Sequence, residues 1–302
     1  MKSILTVLLL IAGSIAYSQN ILAESELEAE NVDEVRIEGR YVDVYVKSGD
    51  RVYFKGNIRG NGDKGDYQFD TDIVGTTLVI RVDRRSKSSW RNYRTSESRI
   101  DLTITDGVKL DIDNSSGDIS VANLRANESK IEATSGDITL RSIVANLEVE
   151  TSSGDIDIDG LTGDTEIEST SGDQEIFNTK GDIETRASSG DITISGFKGK
   201  LEIQATSGDV DVRKGVGTLK IRTSSGEIDG NGIEITGNCY LDATSGNIEI
   251  DFENDLNDLS FDLTATSGDL DIGNRSGEKR MVIDRGGYKI IGTTSSGDQE
   301  YQ

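Results

Sequence analysis

The side chains in this chain that could do chemistry come in columns. A Ser-Gly-Asp motif returns with its glycine at 117, 136, 154, 172, 190, 208, 226, 246, 268 and 297, and serine precedes that glycine in every copy. Aspartate follows it at 118, 137, 155, 173, 191, 209, 269 and 298, while Glu227 and Asn247 take its place in the other two. Carboxylates stacked about 4.8 Å apart on neighbouring strands repel one another, so such a column is a place where a divalent cation can sit. The same groups also have local work to do, because a corner carboxylate accepts turn N–H groups and a row of serine hydroxyls can run a hydrogen-bond ladder. Calcium-stabilised β-rolls build their ion site from the pattern G-G-x-G-x-D-x-U-x. Here the second corner reads Gly163-Asp164, Gly181-Asp182, Gly199-Lys200 and Gly217-Thr218, so the carboxylate fails in half the places and no metal site is expected.

Catalysis has little to draw on. The absence of histidine removes the usual general base, the Ser-His-Asp triad and nearly all catalytic zinc sites. A carboxylate pair of the glycosidase kind, or a β-helix lyase using Asp and Arg in a groove, is the enzymatic alternative. The acids, however, recur as outward positions of every repeat, as a solvated face does, and no pair stands apart. No catalytic residue and no cofactor is therefore expected. A net charge of −23 also disfavours nucleic acid as a partner.

One segment breaks the prevailing sign. Arg81 to Arg99 holds seven basic residues against Asp83 and Glu97, together with Trp90 and Tyr93. Arginines meet carboxylate or phosphate groups, and aromatic faces receive cations and sugars. The candidate ligand-binding residues are Arg84, Arg85, Trp90, Arg91 and Tyr93. The plainer alternative is a solvated excursion that pairs with the protein's own acids.

The elements that must carry these groups are strands. Successive motif glycines are 19, 18, 18, 18, 18, 18, 20, 22 and 29 residues apart, and each copy alternates apolar and polar residues on both sides of the corner, as in Leu201, Ile203, Ala205 and then Val210, Val212. Units this short cannot bury their own apolar face, so they must stack on one shared core. The expectation is an all-β chain folded as a parallel β-solenoid, or β-helix, of about ten coils with an 18-residue repeat. A weaker glycine at 163, 181, 199, 217 and 237 divides the coil into two strands and two corners. An apolar content of 34% suits a thin core, and the absence of proline suits ladders that use every N–H. Cys239 falls in an apolar column, as a buried residue rather than a reactive thiol.

From about Val32 the alternation runs without the 18-residue clock, in Val42-Val44-Val46, Leu78-Ile80-Val82 and Ile100-Leu102-Ile104. A solenoid needs atypical end units, so 32–106 reads as a divergent N-terminal β cap and 107–302 as the repeats with a C-terminal cap. Residues 19–31 form a leader behind 1–18, where Lys2, the apolar run from Ile4 to Ala16 and Ala16-Tyr17-Ser18 read as a secretory signal peptide. No stretch is long enough for a membrane span.

The repeated S-G-D-I-x-I/V rungs, behind a signal peptide and a strand-rich leader, resemble the bacterial putative-adhesin family of β-helical envelope domains over about Val32 to Gln302. The Ala-Tyr-Ser-Gln region similarly resembles envelope proteins of the Bacteroidota. The resemblance implies a non-enzymatic scaffold exported to the periplasm, cell surface or medium, with an envelope polysaccharide or another envelope or surface protein as partner. It brings no catalytic residues.

Overall fold

Alternation sets the architecture. In the strand Thr165–Ser171 the side chains of Thr165, Ile167 and Ser169 are buried and those of Glu166, Glu168 and Thr170 are exposed, as a strand with one face on a core requires. Each such strand lies parallel to its counterpart one repeat on, so that Ile131 sits beside Val149 and Val149 beside Ile167. The computed structural model describes residues 20–60, 63–85 and 95–302. These form 24 strands and a single 3-10 turn, Leu256–Asp258, and none of them belongs to a helix long and apolar enough to cross a membrane. The fold is all-β, and its two long parallel ladders wind as a β-solenoid.

Within a coil, one strand runs into the Ser-Gly-Asp corner and the next leaves it on the other ladder. Inward columns of Ile131, Val149, Ile167, Ile203, Ile221 and Leu241 face Ile138, Ile156, Ile192, Val210, Ile228 and Ile248, all essentially inaccessible. Where one column swells, its neighbour shrinks. A Cβ on Gly215 would lie 1.8 Å from the ring of Phe197 in the coil below, so the missing side chain makes room for the ring. The two-corner expectation needs correction, because a third bend follows each of the first seven motif glycines by six residues. Asn123, Ser142, Gly160, Asn178, Gly196, Lys214 and Gly232 all have φ between 51° and 80°. Only some are glycine, so no single residue type marks the bend in the sequence.

Spatial order departs from chain order at both ends. The strands Glu34–Gly39 and Asp43–Ser48 lie between Thr77–Arg84 and Thr95–Ile104 on the outside and Lys109–Ser116 and Ile119–Ala122 on the inside. At the other end Lys289–Ser296 and Gln299–Tyr301 slide between the coil of Cys239–Ser245 and Ile248–Phe252 and the long strand Ser260–Ile272. The last motif copy, at Gly297, is therefore stacked on Gly246, and Gly268 is the outermost. Antiparallel strands finish each end: Tyr67–Val74, Val52–Gly60 and Asn20–Ala29 at the first, Arg275–Ile283 at the second. Arg275, Glu278, Lys279 and Arg280 keep that last edge charged and exposed, which opposes pairing with another chain.

Candidate ligand-binding site

The segment from Arg81 to Arg99 is an insertion at one corner. Register aligns Arg81 with Glu38 and Arg99 with Asp43, so seventeen residues of sequence separate these two positions where four separate their counterparts on the coil beneath. Of the seventeen, Val82 to Arg84 still belong to a strand paired with Tyr67–Val74, and Thr95 to Ser98 to one paired with Val52–Gly60. Its two ends are tied down. Arg81 pairs with Glu38 at 2.8 Å and Asp72 at 3.7 Å, which keeps its guanidinium pKa above the usual arginine range. Arg99 clamps Asp101 through Nε at 2.8 and 2.9 Å, and its guanidinium carbon lies 4.0 Å from the centroid of the Tyr45 ring. Two of the seven basic residues thus pair with the protein's own acids. Arg84 and Arg85 stand together and exposed where the strand Thr77–Arg84 ends, with Arg84 6.0 Å from the Tyr67 ring centroid and the Arg85 N–H donating to the Asp66 carbonyl at 2.8 Å. Trp90, Arg91 and Tyr93 lie outside the described residues, as do residues 1–18, the expected signal peptide.

The acidic faces are cross-braced. Arg186 reaches Glu166 and Glu168 at 2.6 Å each and also pairs with Glu184. Lys130 holds Glu148, Glu132 and Glu150 at 2.5, 3.1 and 3.6 Å. The hydrogen bond from Lys130 lowers the Glu148 pKa, while burial raises that of Glu150. Glu202 lies between Lys200 and Lys220, and the hydrogen bond from Lys200, followed by that from Lys220, brings its carboxyl down to about 2. A shallow groove of about 610 Å³ follows this face past Glu150, Glu168, Arg186, Gln204 and Arg222. Its glutamates, Glu132, Glu150 and Glu168, are engaged by Lys130 and Arg186 rather than held as an acid and base pair.

At the Ser-Gly-Asp corner the carboxylates carry the rung-to-rung bonds. Oδ1 of Asp137 accepts the N–H of Asp155, Asp155 that of Asp173, Asp173 that of Asp191 and Asp191 that of Asp209, at 2.8 to 2.9 Å. The second corner repeats the device from Asn146 to Asp164, Asp182 and Lys200. Most of the motif serines face solvent, and among the described residues no hydrogen bond joins one to the next, so the serine ladder is replaced by an aspartate ladder. Among the described residues no group of His, Cys, Asp or Glu is arranged to hold a metal ion. Cys239 is fully buried, burial pushes its thiol up to about 11, and its Sγ accepts the Leu219 N–H at 3.4 Å.

A family profile described as Toastrack DUF4097 matches residues 32–213 and 197–301. The chain belongs to the Toastrack DUF4097 family. No curated protein matches it. Among solved structures it is similar to a putative adhesin from Bacteroides fragilis, 12% identical with a TM-score of 0.41 over 92% of this chain and 96% of that one. Similarity extends to a putative lipid binding protein from Parabacteroides distasonis at 16% identity and a TM-score of 0.42, over 76% of this chain and 96% of that one. A putative adhesin from the same species matches at 12% identity and a TM-score of 0.40, over 92% and 95%.

This Toastrack chain has a second concentration of aromatic and basic side chains that its sequence does not announce. Tyr45, Lys47, Tyr53, Lys55 and Arg99 line a cleft of about 410 Å³ on the outer face of the cap. They come from three strands whose pairing order differs from chain order. The cap lacks the 18-residue clock, so nothing in the sequence aligns Tyr45 with Lys55.

Proposed function

We propose that this chain is a non-enzymatic binding scaffold of the bacterial cell envelope, exported to the periplasm or cell surface, whose contact element is the 81–99 insertion. On this reading 1–18 is the signal peptide, 19–31 the leader, 32–106 the cap and 107–302 the repeats, and the partner is an envelope polysaccharide or another envelope or surface protein. One observation carries it: seventeen residues of sequence separate Arg81 from Arg99 where four separate Glu38 from Asp43 on the coil beneath, and the added segment is the strongly basic, aromatic one of a chain of net charge −23. Insertions mounted on a rigid scaffold are where function concentrates. Arg84, Arg85, Arg91, Trp90 and Tyr93 would supply fork-shaped donors for carboxylate or phosphate and flat faces for sugar rings.

The test replaces Arg84, Arg85, Trp90, Arg91 and Tyr93 together by Ser or Ala and measures melting alongside retention on producing cells and on an anionic envelope polymer. Melting is expected to stay within a few degrees while retention is lost. Equal retention by the replaced protein would make the loop a bystander.

A further inference from the structure

We infer that the cap carries a second binding site, for a sugar ring bearing a carboxylate, in the cleft framed by Tyr45, Lys47, Tyr53 and Lys55. It holds whether or not the 81–99 insertion binds anything. Four strands lie side by side here, in the order Val52–Gly60, Thr95–Ile104, Asp43–Ser48 and Ile119–Ala122. Register sets their outward side chains in two adjacent rows. One reads Tyr53, Thr103, Lys47, Ala122 and the other Lys55, Asp101, Tyr45, Ser120. Ring and ammonium therefore alternate around a floor of small side chains, with Tyr53 and Lys47 two strands apart, about 9.5 Å at the usual strand spacing. A pyranose fits that interval.

The rings are held and the charges are not. Arg51 lies 5.0 Å from the Tyr53 ring centroid, and the Tyr53 hydroxyl donates to Glu26. Tyr45 is backed by Arg99 at 4.0 Å. Asp101, the one carboxylate lining the cleft, is already clamped by Arg99. Lys47 and Lys55 are exposed and, among the described residues, form no ion pair. The site thus offers two fixed aromatic surfaces, two uncommitted ammonium groups and the hydroxyls of Thr103 and Ser120. Rings fixed in advance cost no ordering entropy on binding. A bare phosphate would use the lysines and neither ring, and a neutral sugar would use the rings and neither lysine. A uronate uses both.

The experiment titrates the full chain with a trimer of galacturonic acid, with the neutral galactose trimer and with inorganic phosphate at matched ionic strength, by calorimetry and by NMR shifts. The uronate trimer is expected to bind saturably and to outbind both controls by about tenfold or more, the gain of two exposed charge pairs. Lys47→Gln with Lys55→Gln should remove that margin without changing melting, each single variant part of it, and Tyr45→Leu should weaken all sugar binding. The five-residue loop variant should bind the trimer as the parent does, which separates this site from the insertion. Absence of saturable binding, unchanged affinity in the double lysine variant, or phosphate or neutral trimer binding as tightly as the uronate would each overturn the assignment.

Discussion

Gly190 shows how much one position can decide. Its φ is +118°, in the region that side chains disfavour, and a Cβ there would lie 2.2 Å from the carbonyl oxygen of Gly172 in the coil below. Two independent costs coincide, a strained backbone of about 1–3 kcal/mol and a clash that must push two coils apart. Gly190→Val is expected to lower the melting temperature by about 10 °C or more in a thermal scan, and an unchanged value would mean that the corner tolerates a side chain. Glu202 makes the opposite kind of statement, about charge. Its folded pKa near 2 lies below the ordinary 4.5, so its ion pairs stabilise the fold above pH 4.5 and that contribution is lost as pH falls toward 2. Because both lysines are half exposed, the effect is at most about 1 kcal/mol. Glu202→Gln should therefore be less stable than the parent at pH 6, with the gap closing by pH 2 in denaturant titrations.

At the scale of the corner, the column of carboxylates resolves its own repulsion. Each Oδ1 takes an N–H from the next coil, which stabilises the charge and stitches the coils in register at once. Glu227 accepts no such bond from Asn247 among the described residues, and the ladder resumes where Asn247 receives the N–H of Asp298 at 2.9 Å. Asp173→Ala leaves the Asp191 N–H without its acceptor and is expected to cost about 1–2 kcal/mol by urea titration. Millimolar calcium should leave the melting temperature of the parent within about a degree, because a ligand that stabilises must bind the native state and these oxygens are already engaged. A rise of many degrees, reversed by chelator, would restore the metal-bound roll.

For the molecule as a whole, the tucked ends matter most. Each ladder is about a dozen strands deep between Thr77–Arg84 and Ser260–Ile272, roughly 55 Å at the usual spacing. The C-terminal segment 289–302 is an inner layer of that stack, with Tyr301 fully buried, its ring 6.2 Å from Phe252 and 5.6 Å from Phe261. Ending the chain after Tyr288 would expose parallel edges on Cys239–Ser245 and on Ser260–Ile272 together. The truncated protein is expected to lose at least about 10 °C of melting temperature and to associate in sedimentation. A monomer with unchanged melting would show that the outer strand can close the gap by itself.

The repeat, its strands, the glycine corners and the buried place of Cys239 were legible in the sequence, because period-two alternation and an 18-residue clock are local properties that survive in one dimension. So was the basic segment at Arg81 to Arg99, through its charge alone. Tertiary structure decided what depends on which strands meet. Gly297 sits between Gly246 and Gly268, out of chain order, since the chain end slips inward where both its edges find partners. Gln174 occupies an isoleucine position because Ser169 and Thr185, from this coil and the next, satisfy its amide in the core. Tyr45, Lys47, Tyr53 and Lys55 form one cleft only because a later strand, Thr95–Ile104, pairs between theirs. Long-range pairing has no local signature, and in the cap no clock stands in for one.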